Sequence, residues 1–332
     1  MANQSIRLAL LGYGTVGRAL HALLEQNRAA LAAEHDITFV IVGIASRGMG
    51  WRASAQEFTG NARDADACRD IDDWLSTTRA DVVFEAIALD PHTGEPALGY
   101  LATVLRFGAH AISANKGPVV HGYRALTTLA AAVGRAYRFE SAVMDGAPLF
   151  SLVRNCLPLV GLTAVRGVFT STATVVLEAV ERGGSMADGV AHAQALGIAE
   201  ADPSYDVDGW DSAVKLCALA NVLFLADLRP DEVVRTGVGG LTEGEIRGAH
   251  AEGAAWRLVG EVRRDGDGTL RAHVAPERLA ATDALGRVTG TTLVTHLEAA
   301  MFPGGLTITS RDPDPTTTAY GMLADFGEVC GR

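Results

Sequence analysis

Short apolar runs alternate with longer Ala- and Leu-rich stretches through the first 140 residues. Ile6–Leu11 (IRLALL) is one such run, closed by Gly12, and predicts a buried parallel strand. Gly12-Tyr13-Gly14-Thr15-Val16-Gly17 follows, and the stretch from there to about Ala33 holds apolar residues at helical spacing. Further runs at Ile37–Ala45, Asp81–Ala88 and His110–Ser113 predict strands, with helices near Pro96–Phe107 and Tyr123–Gly134. A last strand is expected near Tyr137–Ser141. Strand and helix in alternation predict an α/β, doubly wound parallel sheet of the Rossmann type over residues 1–140.

Beyond about residue 145 the pattern changes. Leu162–Thr172 alternates in part, Met186–Gly197 and Asp211–Ala226 read as helices, and Glu200–Gly209 is acidic and turn-rich. Strand-like pieces at Glu261–Arg264, Thr269–Val274, Thr291–Thr295 and Leu306–Thr309 predict an α+β domain with a mixed sheet over 141–310. Residues 311–332 contain a terminal helix near Pro315–Val329, expected to return to the first domain.

Composition narrows the function. With 48% hydrophobic and 20% charged residues the chain is an ordinary globular protein. A formal net charge of −11 argues against broad binding to nucleic acid or anionic membrane. Four scattered cysteines without a C-x-x-C pair fit reduced thiols, and no stretch reaches membrane-span length, so a cytoplasmic location is expected. Of 28 basic residues only Lys116 and Lys215 are lysine. Lysine is a compact donor whose pKa moves readily, so these two mark places where arginine does not substitute.

Three segments hold chemistry. Gly12, Gly14 and Gly17 form G-x-G-x-x-G between a predicted strand and helix, with Thr15 and Val16 at the helix head, which predicts dinucleotide binding. At the end of the second strand stand Ser46 and Arg47 instead of the carboxylate that would hold NAD ribose hydroxyls, which favours NADP and leaves NAD open. Asn115-Lys116-Gly117-Pro118 ends a predicted parallel strand, at the sheet edge where ligands bind. In the third segment Asp211 and Lys215 stand four apart on an otherwise apolar helix, after Glu200, Asp202, Asp206 and Asp208. Carboxylates around one lysine suit a substrate with an ammonium group that needs a proton donor.

The segment Ala193-x-x-x-Gly197-Ile198-Ala199-Glu200-Ala201-Asp202-Pro203-x-x-Asp206-Val207-x-Gly209-x-Asp211-x-x-x-Lys215 resembles the signature of homoserine dehydrogenases at every defined position. GYGTVG, TGEPAL at Thr93–Leu98 and SANKGP at Ser113–Pro118 are similar to landmarks of the same family, in the same order. The resemblance implies reduction of L-aspartate 4-semialdehyde to L-homoserine with NAD(P)H, in a homodimer built through the second, substrate-binding domain. It implies Lys215 as proton donor, Lys116 near the reacting centre, and Glu200 and Asp211 at the substrate ammonium and hydroxyl, with Thr172 and Asp206 beside the substrate. It also implies a sodium or potassium ion on backbone carbonyls of Glu140, Val143, Asp145 and Ala147.

Three glycine-rich stretches of the family are altered here, to Val143–Pro148, to Ser171 before Thr172, and to Ser310-Arg311-Asp312-Pro313-Asp314-Pro315. Two other readings therefore stand beside the first: a related dehydrogenase for another amino or hydroxy acid, and a non-catalytic NADP-binding protein. The sequence shows no regulatory segment after the terminal helix, so feedback inhibition through one is not expected.

Overall fold

The computed structural model describes residues 5–58, 62–199 and 201–331. Two compact units form: Met1–Pro148 with Asp314–Arg332, and Leu149–Pro313. The expected boundary at 140 falls eight residues early, because Ser141–Met144 is a helical turn belonging to the first unit.

In the first unit the strands are β1 (Ile6–Leu11), β2 (Phe39–Ser46), β3 (Gly50–Ala53), β4 (Asp66–Cys68), β5 (Val82–Glu85), β6 (His110–Ser113) and β7 (Tyr137–Arg138). Their order is β4-β3-β2-β1-β5-β6-β7. The five strands from β2 to β7 are parallel, as a doubly wound sheet requires. β3 and β4 add an antiparallel edge that the apolar pattern does not reveal, since only Ala53 of Gly50–Ala53 is buried.

Helix Thr15–His35 opens on the glycine turn. Gly12 has φ +102, and a Cβ there would lie 2.4 Å from the Ala86 carbonyl carbon and oxygen. A Cβ on Gly17 would stand 2.0 Å from the Gly12 carbonyl oxygen. Only glycine lets this helix sit so close to the strand ends. The terminal helix Pro315–Cys330 puts Ala319, Met322, Leu323 and Phe326 into the core of Leu8, Leu10, Phe39 and Phe84. Phe326 meets Phe84 and Phe39 edge-on, with ring centroids 5.7 and 6.4 Å apart. Each such fully buried side chain contributes about 1.5–3 kcal/mol, which anchors a segment far away in sequence.

The second unit holds β8 (Leu162–Val168), β9 (Val234–Arg235), β10 (Ala254–Arg264), β11 (Leu270–Ala280), β12 (Leu293–Ala299) and β13 (Phe302–Ser310). Their order is β13-β12-β8-β10-β11-β9. All pairs are antiparallel except β9 with β11, so the sheet is mixed as expected. β10 and β11 are longer than predicted, because charged residues sit in them at alternate positions and break the apolar signal. Helix Ser171–Glu181 is the largest surprise: its first residues read as the end of an alternating stretch, yet it is buried along most of its length.

Two of the missing glycines have substitutes. Asp145 (φ 48) and Asp312 (φ 45) adopt the left-handed conformation themselves. Aspartate does this more readily than most residues because its short side chain bonds locally. Asp314 then caps the terminal helix, accepting from the Thr316 and Thr317 amides at 2.7 and 2.9 Å.

Candidate active site

The first unit supplies a dinucleotide cradle. Gly14 is exposed, with nothing within 4 Å of the place a Cβ would take, so its backbone is open to approach. Helix Thr15–His35 has no side-chain cap at its N-terminus. Its first amides and dipole therefore remain to meet an anionic group at Gly14, Thr15 and Val16.

A cavity of about 700 Å³ lies beside this turn, lined among others by Tyr13, Arg18, His21, Ser46 and Arg63. Among the described residues its lining holds two arginines and no carboxylate. Ser46 is thus placed where the sequence put it. Arg47 is exposed on the following turn and does not line the cavity. Arg18 and Arg63 do, and neither stood out in the sequence because arginine is so common in this chain.

Asn115 and Lys116 follow β6 as expected, and the next helix, expected near Tyr123, already starts there, as helix Lys116–Ala132. Asn115 is the cap, its Oδ1 accepting from the Gly117 amide at 2.9 Å. Pro118 did not delay the helix, since proline is tolerated in a first turn. Lys116 is half-buried there.

Behind Asn115 lies Glu85, fully buried at the end of β5. Ser113 Oγ donates to its Oε2 at 2.5 Å, the Ile87 amide to Oε1 at 2.8 Å, and Asn115 Nδ2 to Oε1 at 3.4 Å. Burial pushes the Glu85 carboxyl up to about 7, against the hydrogen bonds from Ser113, Ile87 and Asn115 that pull it down. A carboxyl raised in the folded state holds its proton more tightly there than in the unfolded chain. Stability from this group is therefore full below its ordinary value of 4.5 and is lost as pH rises through about 7. The loss is on the order of 3 kcal/mol. Denaturant titrations from pH 4.5 to 8 should show it in the wild type and not in Glu85→Gln; parallel curves for the two proteins would contradict it.

In the second unit, Lys215 and Asp211 lie on helix Trp210–Leu223, each 9% exposed. Lys215 Nζ donates to the Phe169 carbonyl at 2.6 Å and stands 3.1 Å from Asp211 Oδ2. Phe169 follows β8, and three residues on, Thr172 opens helix Ser171–Glu181. Thr172 Oγ1 is 2.8 Å from Asp206 Oδ2 and 3.0 Å from the Ile198 carbonyl. Thr172, Asp206, Asp211 and Lys215 are thus gathered around the end of β8. Glu200 lies outside the described residues.

Tyr205 joins this group unannounced by the sequence. Among the described residues its buried hydroxyl has no hydrogen-bond partner. Burial first, then Asp211 and Asp206, push its pKa upward, so it stays a neutral donor.

Two family models match the chain: the homoserine dehydrogenase NAD-binding domain over residues 12–140, and homoserine dehydrogenase over residues 148–326. The chain is 31% identical to a protein of Pseudomonas canavaninivorans named NAD(+)-dependent homoserine dehydrogenase, across 96% of this chain and 95% of that one. This chain belongs to the homoserine dehydrogenase family. A homoserine dehydrogenase of Methanocaldococcus jannaschii is 26% identical over 96% of this chain and 97% of its own length. The crystal structure of a homoserine dehydrogenase from Thiobacillus denitrificans superposes with a TM-score of 0.83 at 25% identity, covering 98% of this chain and 73% of that one. As a homoserine dehydrogenase-family member the chain is an oxidoreductase with an NAD-binding domain. Among the described residues no helix is long and apolar enough to cross a membrane.

Proposed function

We propose that this chain interconverts L-homoserine and L-aspartate 4-semialdehyde with NAD(P), and that Lys215 moves the proton. The observation that carries the reading is the buried Lys215–Asp211 pair, held against the Phe169 carbonyl and joined by Thr172, Asp206 and Tyr205. A buried charge pair of this kind is a weak source of stability, so its presence points to chemistry.

The dinucleotide supplies the hydride acceptor for oxidation and the donor for reduction. Gly12, Gly14 and Gly17 with the uncapped helix head at Thr15 and Val16 suit its pyrophosphate, and Asn115 and Lys116 belong to the same cofactor-binding unit. In oxidation Lys215 as the neutral amine takes the hydroxyl proton and becomes the ammonium; in reduction the ammonium gives that proton to the oxygen, and its positive charge also stabilises the developing alkoxide. Asp211 holds the ammonium of Lys215 in place. Asp206, with Glu200, offers carboxylate to the substrate ammonium, while Thr172 and the unpartnered Tyr205 hydroxyl offer donors to its oxygens. Family membership supports the homodimer, and four free cysteines support a cytoplasmic location.

Two finer points belong to the same reading. The segment from Glu140 through Val143 and Asp145 to Ala147 is a helical turn ending in two left-handed residues, Asp145 and Gly146. Helix ends leave carbonyl oxygens outward, and such hard donors suit sodium or potassium. NADP is favoured over NAD because Arg18, Arg63 and Ser46 line the cavity with no carboxylate to repel a 2′-phosphate. The Pseudomonas canavaninivorans relative has NAD(+) in its name, so the ratio itself has to be measured.

The test is oxidation of L-homoserine by the purified protein, with NAD and NADP in parallel. Saturable formation of reduced dinucleotide is expected, faster with NADP at limiting cofactor. Arg47→Ala, with its side chain outside the cavity, should change the NADP/NAD ratio less than Arg63→Ala, which should lower it about tenfold. A larger change at Arg47 would return the 2′-phosphate contact to that residue. No turnover with homoserine would overturn the function.

A further inference from the structure

We propose that Glu85 is a positioning residue, holding the turn Ser113–Lys116 and the glycine turn at Gly12 in the arrangement that receives the reacting end of the dinucleotide. The inference rests on the dehydrogenase reading above and adds a residue that does not itself touch the reacting atoms.

A carboxyl is among the groups least suited to full burial, and an apolar side chain would fill the end of β5 more readily. Among the described residues no cation pairs with Glu85. Its partners are instead a backbone amide (Ile87), a hydroxyl (Ser113) and a side-chain amide (Asn115). Each partner lies at or just beyond the ends of the neighbouring strands β5 and β6, at the same edge of the sheet. Ser113 Oγ in turn accepts from the Asn115 amide at 3.0 Å. The Asn115 side chain, fixed at its Nδ2 end by Glu85, offers its Oδ1 to the Gly117 amide and so starts the helix that presents Lys116. On the other side, Ala86 directly follows Glu85, and its carbonyl is the surface against which Gly12 packs. One buried carboxyl therefore sets the orientation of two turns.

Glutamine can keep this arrangement. Its oxygen accepts from Ile87 and Asn115, and its NH₂ donates to Ser113 Oγ, whose own hydrogen turns toward the Asn115 carbonyl 3.5 Å away. Alanine cannot, and leaves the Ile87 amide and the buried Asn115 Nδ2 without this acceptor.

The experiment compares wild type, Glu85→Gln, Glu85→Ala and Asn115→Ala. Binding of the reduced dinucleotide is read by its fluorescence with no second substrate present, then kcat and the KM for L-homoserine are measured, with thermal melts to verify folding. Glu85→Gln should stay within about threefold of wild type in every quantity, as a conservative replacement of the acceptor. Glu85→Ala should weaken dinucleotide binding at least about tenfold and lower kcat, while the homoserine KM moves less than about threefold. Should Glu85→Ala fail to fold, Asn115→Ala, which cuts the link at its other end, is to show the same split. A folded Glu85→Ala or Asn115→Ala with normal dinucleotide affinity overturns the proposal, and so does a Glu85→Gln as damaged as the alanine. A wild type that binds dinucleotide but leaves homoserine untouched defeats the substrate reading only, since the binding arm still tests Glu85.

Discussion

Lys215→Ala is expected to lower turnover by about 10²–10⁴-fold, the range that a positioned proton donor contributes. Dinucleotide affinity should change little, because Lys215 and the glycine turn belong to different units. Removing the ammonium takes the Lys215 charge away from the buried Asp211 carboxylate, which destabilises the fold by about 3–5 kcal/mol. Lys215→Arg separates the two effects. It keeps a cation near Asp211, yet guanidinium does not release its proton at neutral pH and is too broad for the place between Asp211 and the Phe169 carbonyl. Melting temperatures near wild type with turnover lost would identify proton transfer as the missing function. Turnover within about tenfold of wild type in Lys215→Arg would remove Lys215 from the proton path.

Gly12→Ala should abolish measurable dinucleotide binding. The added Cβ meets the Ala86 carbonyl at 2.4 Å, and φ +102 is a conformation that alanine occupies only under strain. Strain of this kind is on the order of 1–3 kcal/mol and falls where backbone and pyrophosphate are to approach. An affinity loss of at least about 100-fold is predicted, with a measurable drop in melting temperature. Calorimetric titration checks it, and affinity within a few-fold of wild type would show that the turn does not hold the dinucleotide.

Much of this was legible from the residues. An apolar run closed by glycine is a local signal, so β1 and the glycine turn emerge from pattern alone, as does β6 from the short run that stops before Asn115. Lys215 emerged from a contrast, one of two lysines among many arginines on an apolar helix. Glu85 and Tyr205 stayed hidden for a different reason. Glu85 reads as an interruption of the run DVVFEAIA, and nothing local says whether such a carboxyl turns inward. Only the neighbouring strand, bringing Ser113 and Asn115 beside it, answers that. Tyr205 is one aromatic residue in an acidic turn, and its relation to Asp211 depends on how the following helix is set. Arg18 and Arg63 were hidden by abundance. Arg47 stood out because the second strand ends beside it, but it is exposed and does not line the cavity its neighbour Ser46 lines. Where glycines are lost, Asp145 and Asp312 take up left-handed backbone, and Asp314 caps the terminal helix.

The central claim is hydride transfer between homoserine and a nicotinamide dinucleotide. The most direct measurement uses L-homoserine carrying deuterium on the carbon that bears the hydroxyl, incubated with the protein and oxidised dinucleotide. With both hydrogens of that carbon replaced by deuterium, mass spectrometry of the reduced dinucleotide should show one deuterium atom gained per molecule formed. Reduced dinucleotide without deuterium, or none formed while binding is intact, would contradict the account.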